Sequence, residues 1–322
     1  MIYIDNKSFD PAYSFAAEIY YMEKLKEPFF MLWRTKPCVI IGRYQNLYKE
    51  ANLDYIQKEN IMIRRRFSGG GAVYADGGSL KYSVFIPGKA AAEADFRRDP
   101  SAFVDAMNLL GVNAEFTQRN DIYIQGRKCA GNARFSNANG VMHHLTVLFN
   151  TDLSKLQLVL SDKTEKIRDR AIDSHRQHVC NVTEFLDEQM DTDAFKNHIL
   201  KNIFGGNYTY REITEEEDRE LERLADTMFR CDEYIYGKNP SFEKSDSKRF
   251  EGGTVKLGMT VEKSRIKDIG ISGDFFASGD VALLEKALKG CRLDKEELKR
   301  AVQLHPVIQG VTADEIVSLI IS

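Results

Sequence analysis

The chain has 322 residues, and at about 150 residues per domain that length points to two domains, or one large domain with an appendage, rather than a single small binding module. Apolar residues make up 43% and charged residues 29%, a composition that can bury a sizeable core and is unlike that of a disordered chain. With 45 basic against 48 acidic residues the net charge is -3, so no global field recruits nucleic acid or an anionic membrane, and any polyanion must be bound locally.

The start, MIYIDNKSFDPAYSF, has neither a basic segment nor a small-residue cleavage site, and no run reaches transmembrane length, so a cytoplasmic protein is expected. Asp10-Pro11 predicts an N-cap and first turn, with Phe15, Ile19 and Tyr20 at helical spacing to about Lys26. FFMLWR and CVIIG, separated by Lys36-Pro37, predict two strands. A helix from about Asn52 and a strand from Ile61 to Arg65 then lead into Gly69-Gly70-Gly71. AVYA and LKYSVFI alternate with period two around Asp76-Gly77-Gly78, which predicts a hairpin.

Asp99-Pro100 opens another helix that stops at Gly111. Strands follow at AEFT, DIYIQ and, after a glycine-asparagine stretch, VMHHLTVLF. From Thr183 to about Arg230 the pattern is mainly helical, with a capping box formed by Thr214 and Glu217. YGKNPSFEKSDSKRFEGG breaks that pattern and predicts a boundary between a domain of residues 1–244 and a small one of residues 245–322. The remainder opens with strands at TVKLGMTVEK and IKDIGISG and closes with two or three helices, the last capped at Thr312 with Glu315. This is a strand-rich α+β order without βαβ alternation. The five cysteines are an odd number with no CxxC pair, which predicts reduced thiols.

Chemistry concentrates in two places. Arg64, Arg65 and Arg66 precede Phe67-Ser68 and three glycines; the glycines let a backbone approach a ligand and arginine supplies forked donors, together an anion cradle. The alternative is a solvated basic turn beside a glycine hinge. No GxxxxGK[ST] or helix-opening GxGxxG is present. The second place is Asn120-Asp121 followed by Gly126-Arg127-Lys128-Cys129-Ala130-Gly131-Asn132-Ala133. A carboxylate beside a phosphate site holds Mg²⁺, and a lysine among small residues reaches a buried anion; taken alone, both also suit solvent-facing turns. Of His143 and His144, a strand turns only one inward, and a core position for it competes with a ligand contact. By the same alternation Cys129 reads as a packing thiol if Lys128 faces a ligand.

Together these residues resemble a known family. RRFSGGGAVYADGGSLKYS resembles the RRxSGGGxVxHDxGNxxxS block of lipoate-protein ligases, and IGRYQN, GVNAEFTQRNDI, GRKCAGNARF, HHLTVLF, YGKNPSF and ISGDFF follow in the family's order. The resemblance implies a large catalytic domain of the biotin/lipoate ligase type, with mixed sheets and flanking helices, and a small α+β C-terminal domain. It implies activation of lipoate with ATP and Mg²⁺ to lipoyl-AMP, then transfer to a lysine of a lipoyl carrier domain. The carrier would be a glycine cleavage H protein, an H-like protein or the acyltransferase subunit of a 2-oxoacid dehydrogenase. Carried over by position, it implies Lys128 as the central cation and Arg66, Ser68, Gly70, Gly71, Val73, Asp76 and Ser79 along the lipoyl-adenylate. It also puts Asn120 and Asp121 on the phosphate side, with Asp121 the metal ligand, and Ala133 with His143 or His144 lining the pocket; Arg43 matches the pattern too.

The chain departs from the family pattern at Ala75, Ser79, Ala130 and Leu145, where histidine, asparagine, serine and glycine are usual, and at SHRQHVCN, residues 174–181. Lost hydrogen-bonding groups and added bulk change specificity, which points to a specialised paralogue with a restricted carrier. The competing readings are an octanoyl or lipoyl transferase acting through a cysteine thioester without ATP, and a degenerate non-catalytic lipoate or carrier binder. A biotin ligase is a further substrate variant, but its usual GRGRxGR-type loop is absent.

Overall fold

The computed structural model describes residues 1–88, 98–117, 121–160, 179–237, 242 and 244–321. In chain order the strands are β1 (Ile2–Asp5), β2 (Phe29–Trp33), β3 (Cys38–Ile41), β4 (Met62–Arg65), β5 (Val73–Ala75), β6 (Ser79–Pro87) and β7 (Ala114–Phe116). They continue as β8 (Ile122–Ile124), β9 (Arg127–Asn137), β10 (Gly140–Leu148), β11 (Thr209–Glu212), β12 (Lys244–Phe250), β13 (Gly253–Glu262) and β14 (Arg265–Gly273). Eight of them form one mixed sheet in the order β11-β1-β2-β6-β10-β9-β8-β7. The β1 strand runs parallel to both its neighbours, and the other pairings are antiparallel. A small sheet β4-β3-β5 and a C-terminal sheet β12-β13-β14 complete the set, so the architecture is the expected α+β.

The large sheet is covered on both faces, which explains why β2, FFMLW, is apolar throughout and buried at every position. On one face lie Phe103, Met107, Phe195 and Ile199 from helices Arg98–Asn108 and Thr192–Asn202. On the other lies the first helix, Pro11–Lys24, capped by the Asp10 side chain, which accepts from the Ala12 N–H at 3.0 Å. The capping boxes at Thr214–Glu217 and Thr312–Glu315 are both formed. Three helices, Val281–Leu288, Lys295–Leu304 and Ala313–Ile321, pack with the C-terminal sheet around a core of its own. Among the described residues no helix is long and apolar enough to cross a membrane.

Three expectations change. The turn at Asp76-Gly77-Gly78 forms, with Gly78 N–H donating to Asp76 Oδ1 at 2.9 Å, but it joins two sheets and makes no hairpin: β5 pairs with β3, and β6 with β2 and β10. Nine residues of β6 register on β10, which outweighs any pairing with the three residues of β5. A Cβ on Gly78 would stand 1.9 Å from Asn150 O, so only glycine lets the chain cross there. The glycine-asparagine stretch, to which the sequence assigned no strand, is β9, held between β10 and β8 by ladders that override its poor local propensity. The predicted boundary stretch contains β12; the segment from Thr183 to Arg230 is mainly helical as expected, with β11 its one strand.

Candidate active site

Lys128 and Asp121 meet on the glycine-loop face of the large sheet, Lys128 Nζ standing 2.8 Å from Asp121 Oδ2. A β-bulge makes this possible. Ile122 pairs with Ala130 and Tyr123 with Lys128, which leaves Cys129 as the extra residue. The bulge interrupts the alternation of β9, so Lys128 reaches the face that Gly131 and Ala133 share while Cys129 turns into the core. Gly131 leaves the space: a Cβ there would lie 3.5 Å from Lys128 Nζ and 3.8 Å from Asp121 Oδ1. Burial pushes the Cys129 thiol up, as expected for a packing thiol. Cys38 and Cys180 are likewise buried with raised pKa values, so none of these three is set up as a thioester nucleophile. Asn120 lies outside the described residues.

Strand register then lays out the floor. One row across the sheet runs Trp33, Lys81, Thr146 and Gly131; the next runs Met31, Ser83, His144 and Ala133. Glu18, fully buried on the first helix, accepts a hydrogen bond from Ser83 Oγ and lies 3.3 Å from His144 Nδ1. Trp33 Nε1 donates to the same Ser83 hydroxyl at 3.0 Å. Phe67, just before the glycine run, meets His144 edge-on at 5.0 Å and Phe135 at 4.9 Å. Among the described residues His144 Nε2 has no hydrogen-bond partner, and a buried polar atom in that state is a binding opportunity.

His143 is a correction. It pairs with Val84 and Arg134 on the opposite face, where burial and the neighbouring Arg134 and His144 push its pKa down to about 3. Period-two alternation allows only one of the two histidines on the glycine-loop face, and that one is His144. Glu18, Trp33 and Ser83 were not legible as site residues. Glu18 left a trace: Ser14, Phe15, Glu18, Tyr21 and Met22 share the buried stripe of the first helix, and a carboxylate in such a stripe needs a polar partner.

The arginine run also differs from an open cradle. Arg65 donates to five carbonyls, of Tyr234, Ile235, Gly42, Arg43 and Gln45, at 2.7 to 3.1 Å. Arg66 donates to Ser68 Oγ and to the carbonyls of Ile40, Gly69 and Gly71, while Arg64 pairs with Asp10. Burial pushes Arg65 and Arg66 down to about 10. These guanidinium groups shape the glycine loop from inside; its amides remain for other acceptors, and Gly70 N–H donates to Phe275 O of the C-terminal region at 3.2 Å. A Cβ on Gly71 meets nothing within 4 Å. Val73 packs at the edge of the second core, Ser68 Oγ receives Arg66, and Asp76 serves the turn, accepting from Gly78 N–H and Asp152 N–H. Ser79 Oγ accepts from Lys81 Nζ at 3.0 Å.

Residues 10–204 match the family described as Lipoyl protein ligase A/B catalytic domain, and residues 239–320 match Bacterial lipoate protein ligase C-terminus. Lipoate-protein ligase LplJ of Bacillus subtilis is 32% identical, over 99% of this chain and 100% of that one. The fold matches that of P. falciparum LipL1, solved in complex with lipoate, with a TM-score of 0.80 at 20% identity over 100% of this chain and 99% of the other. A lipoate-protein ligase A bound with ATP aligns with a TM-score of 0.62 at 26% identity over 73% of this chain and 98% of its own. The match to the catalytic-domain family over more than half the chain, together with 32% identity to a lipoate-protein ligase over nearly the full length of both chains, establishes that this chain belongs to the lipoate-protein ligase family.

Proposed function

We infer that the chain is an ATP-dependent, AMP-forming lipoate-protein ligase. Lipoate and ATP give lipoyl-AMP and pyrophosphate; a carrier lysine amine then attacks the acyl carbon, forming the amide and releasing AMP. The observation that carries this reading is the Lys128–Asp121 pair above Gly131, on the face that holds His144 and Ala133.

The first step brings a carboxylate onto a phosphate, two anions whose repulsion must be offset where the new bond forms. Lys128 is the cation for that point, and in the second step the same charge stabilises the departing AMP. Among the described residues no three His, Cys, Asp or Glu side chains cluster as a metal cage. Mg²⁺ is commonly held by one or two carboxylates plus substrate phosphates, and Asp121, next to Asn120 in the sequence, would be the protein ligand. The ion would offset phosphate charge when bound. Arg66 and Ser68 hold the loop; Gly70, Gly71 and Val73 run along the lipoyl-adenylate, with Asp76 and Ser79 shaping the turn beneath. Ala133 and His144 line the acyl pocket. Residues 1–244 form the catalytic unit and 245–322 an accessory unit whose Phe275 carbonyl meets the glycine loop. The partner is a lipoyl carrier domain, either an H or H-like protein or a 2-oxoacid dehydrogenase acyltransferase subunit; the departures at Ala75, Ser79, Ala130 and Leu145 favour a restricted one.

The test is incubation of the purified protein with ATP, Mg²⁺ and lipoate without a carrier, followed by mass spectrometry. Lipoyl-AMP together with pyrophosphate is expected. Lipoate binding without either product would overturn the reading.

A further inference from the structure

Lys81 is the least ordinary residue on the glycine-loop face. It lies in β6, only 3% exposed, with its ammonium donating to Ser79 Oγ at 3.0 Å and 5.9 Å from the centre of the Trp33 ring. Among the described residues no carboxylate forms an ion pair with it; Asp76 and the Cys38 thiol act on it only through space. A buried ammonium held by one neutral hydroxyl is costly, because each unmet donor has lost its water.

Its position gives that cost a use. The row Trp33, Lys81, Thr146, Gly131 places Lys81 two strands from Gly131, about 9.6 Å at ordinary strand spacing. Gly131 lies under Lys128, where the carboxyl group of the substrate is expected. A chain of eight carbons laid across the strands from that point ends at Lys81 and Trp33.

We propose that Lys81 is a specificity-determining residue of the acyl pocket: its amino group makes the far end polar, so the pocket accepts the sulfur ring of lipoate and rejects a saturated chain of the same carbon number, octanoate. The inference rests on the ligase reading. Ring sulfurs are polarisable and accept weak hydrogen bonds, so they give the amino group a partner that water no longer supplies. A terminal methyl group offers none, and a site left with an unpaired donor rejects the analogue far more strongly than a size difference would. Cys38 and Asp76 face the amino group from β3 and the turn before β6, and Glu18 and His144 occupy the next row. Burial pushes its pKa down to about 7, so its charge falls within the working range.

The experiment measures carrier-free pyrophosphate release with lipoate and with octanoate, in the intact protein and in Lys81→Met and Lys81→Asn. The native protein is expected to prefer lipoate by about 100-fold in kcat/KM. Lys81→Met should raise octanoate use about tenfold and, having lost the group that meets the ring sulfurs, lower lipoate use by up to about threefold. A pH series separates this from a structural role: the preference should fall from pH 6 to pH 9 in the native protein and stay flat in Lys81→Met. A folded Lys81→Met with an unchanged ratio overturns the inference and leaves the ligase reading standing, whereas Lys81→Asn, which keeps polar donors there, should hold more of the preference than Lys81→Met. If neither variant folds, a native ratio that is flat with pH and near unity overturns it equally. Pyrophosphate release with neither acid overturns the ligase reading and this inference with it.

Discussion

Lys128 Nζ stands 2.8 Å from Asp121 Oδ2 above a glycine that leaves both groups room, and the pair exists because one extra residue, Cys129, breaks the alternation of β9. The bulge puts a cation on the site face without exposing the thiol beside it. Both side chains keep partial solvent access, at 36% and 22%, so the pair is a weak contributor to stability and free to serve chemistry.

Lys128→Ala should therefore shift unfolding by no more than about 0.5 kcal/mol while lowering lipoyl-AMP formation by about 1,000-fold. Circular dichroism and pyrophosphate release check the two halves separately. Normal adenylate formation in this variant would remove Lys128 from its proposed role.

The glycine loop should answer substitution unevenly. Alanine at Gly69 places a Cβ 2.2 Å from Phe275 O, a backbone atom that cannot swing aside, whereas alanine at Gly71 meets nothing within 4 Å. Gly69→Ala is expected to cost about 1–3 kcal/mol and to loosen the C-terminal region, visible as faster limited proteolysis; Gly71→Ala should match the native protein in stability.

Arg65 is a structural bolt, since its guanidinium serves five carbonyls from two segments. Arg65→Met leaves those acceptors buried and unmet, and a loss of about 3–5 kcal/mol is expected in denaturant titration. Lysine should not rescue it, because an ammonium cannot reproduce the fork.

His143 makes stability depend on acid. Its folded pKa is held down at about 3, below the ordinary value of 6.5, so the unfolded chain binds the extra proton. This stability is fully present above pH 6.5 and is lost as pH falls from there toward 3, at up to about 1.4 kcal/mol per pH unit. Denaturant titrations of the native protein and His143→Gln across that range should diverge with this slope; parallel curves would show that His143 is already charged in the folded state.

Local chemistry made part of this protein legible. Asp10-Pro11, the capping boxes and the Lys128 motif depend on neighbours a few residues away, so reading them needs no tertiary knowledge. The meeting of Glu18 with Ser83 and His144 depends on a helix, β6 and β10 being brought together, and nothing within ten residues of Glu18 names its partners. The arginine run shows the same limit: its donors were visible, but the carbonyls that take them come from distant loops.

By itself the sequence determined the α+β class, Lys128 and Asp121 as candidate residues and the likeness to lipoate-protein ligases, because each is written in residue type and short spacing; their pairing waited on the bulge in β9. Only the tertiary structure decided that His144 and not His143 lies on the glycine-loop face, that Asp76–Gly78 joins two sheets, and that Lys81 lies buried beside Trp33. Strand order and register set those outcomes, and both follow from how nine-residue ladders and two covered faces bury the most backbone and apolar surface together.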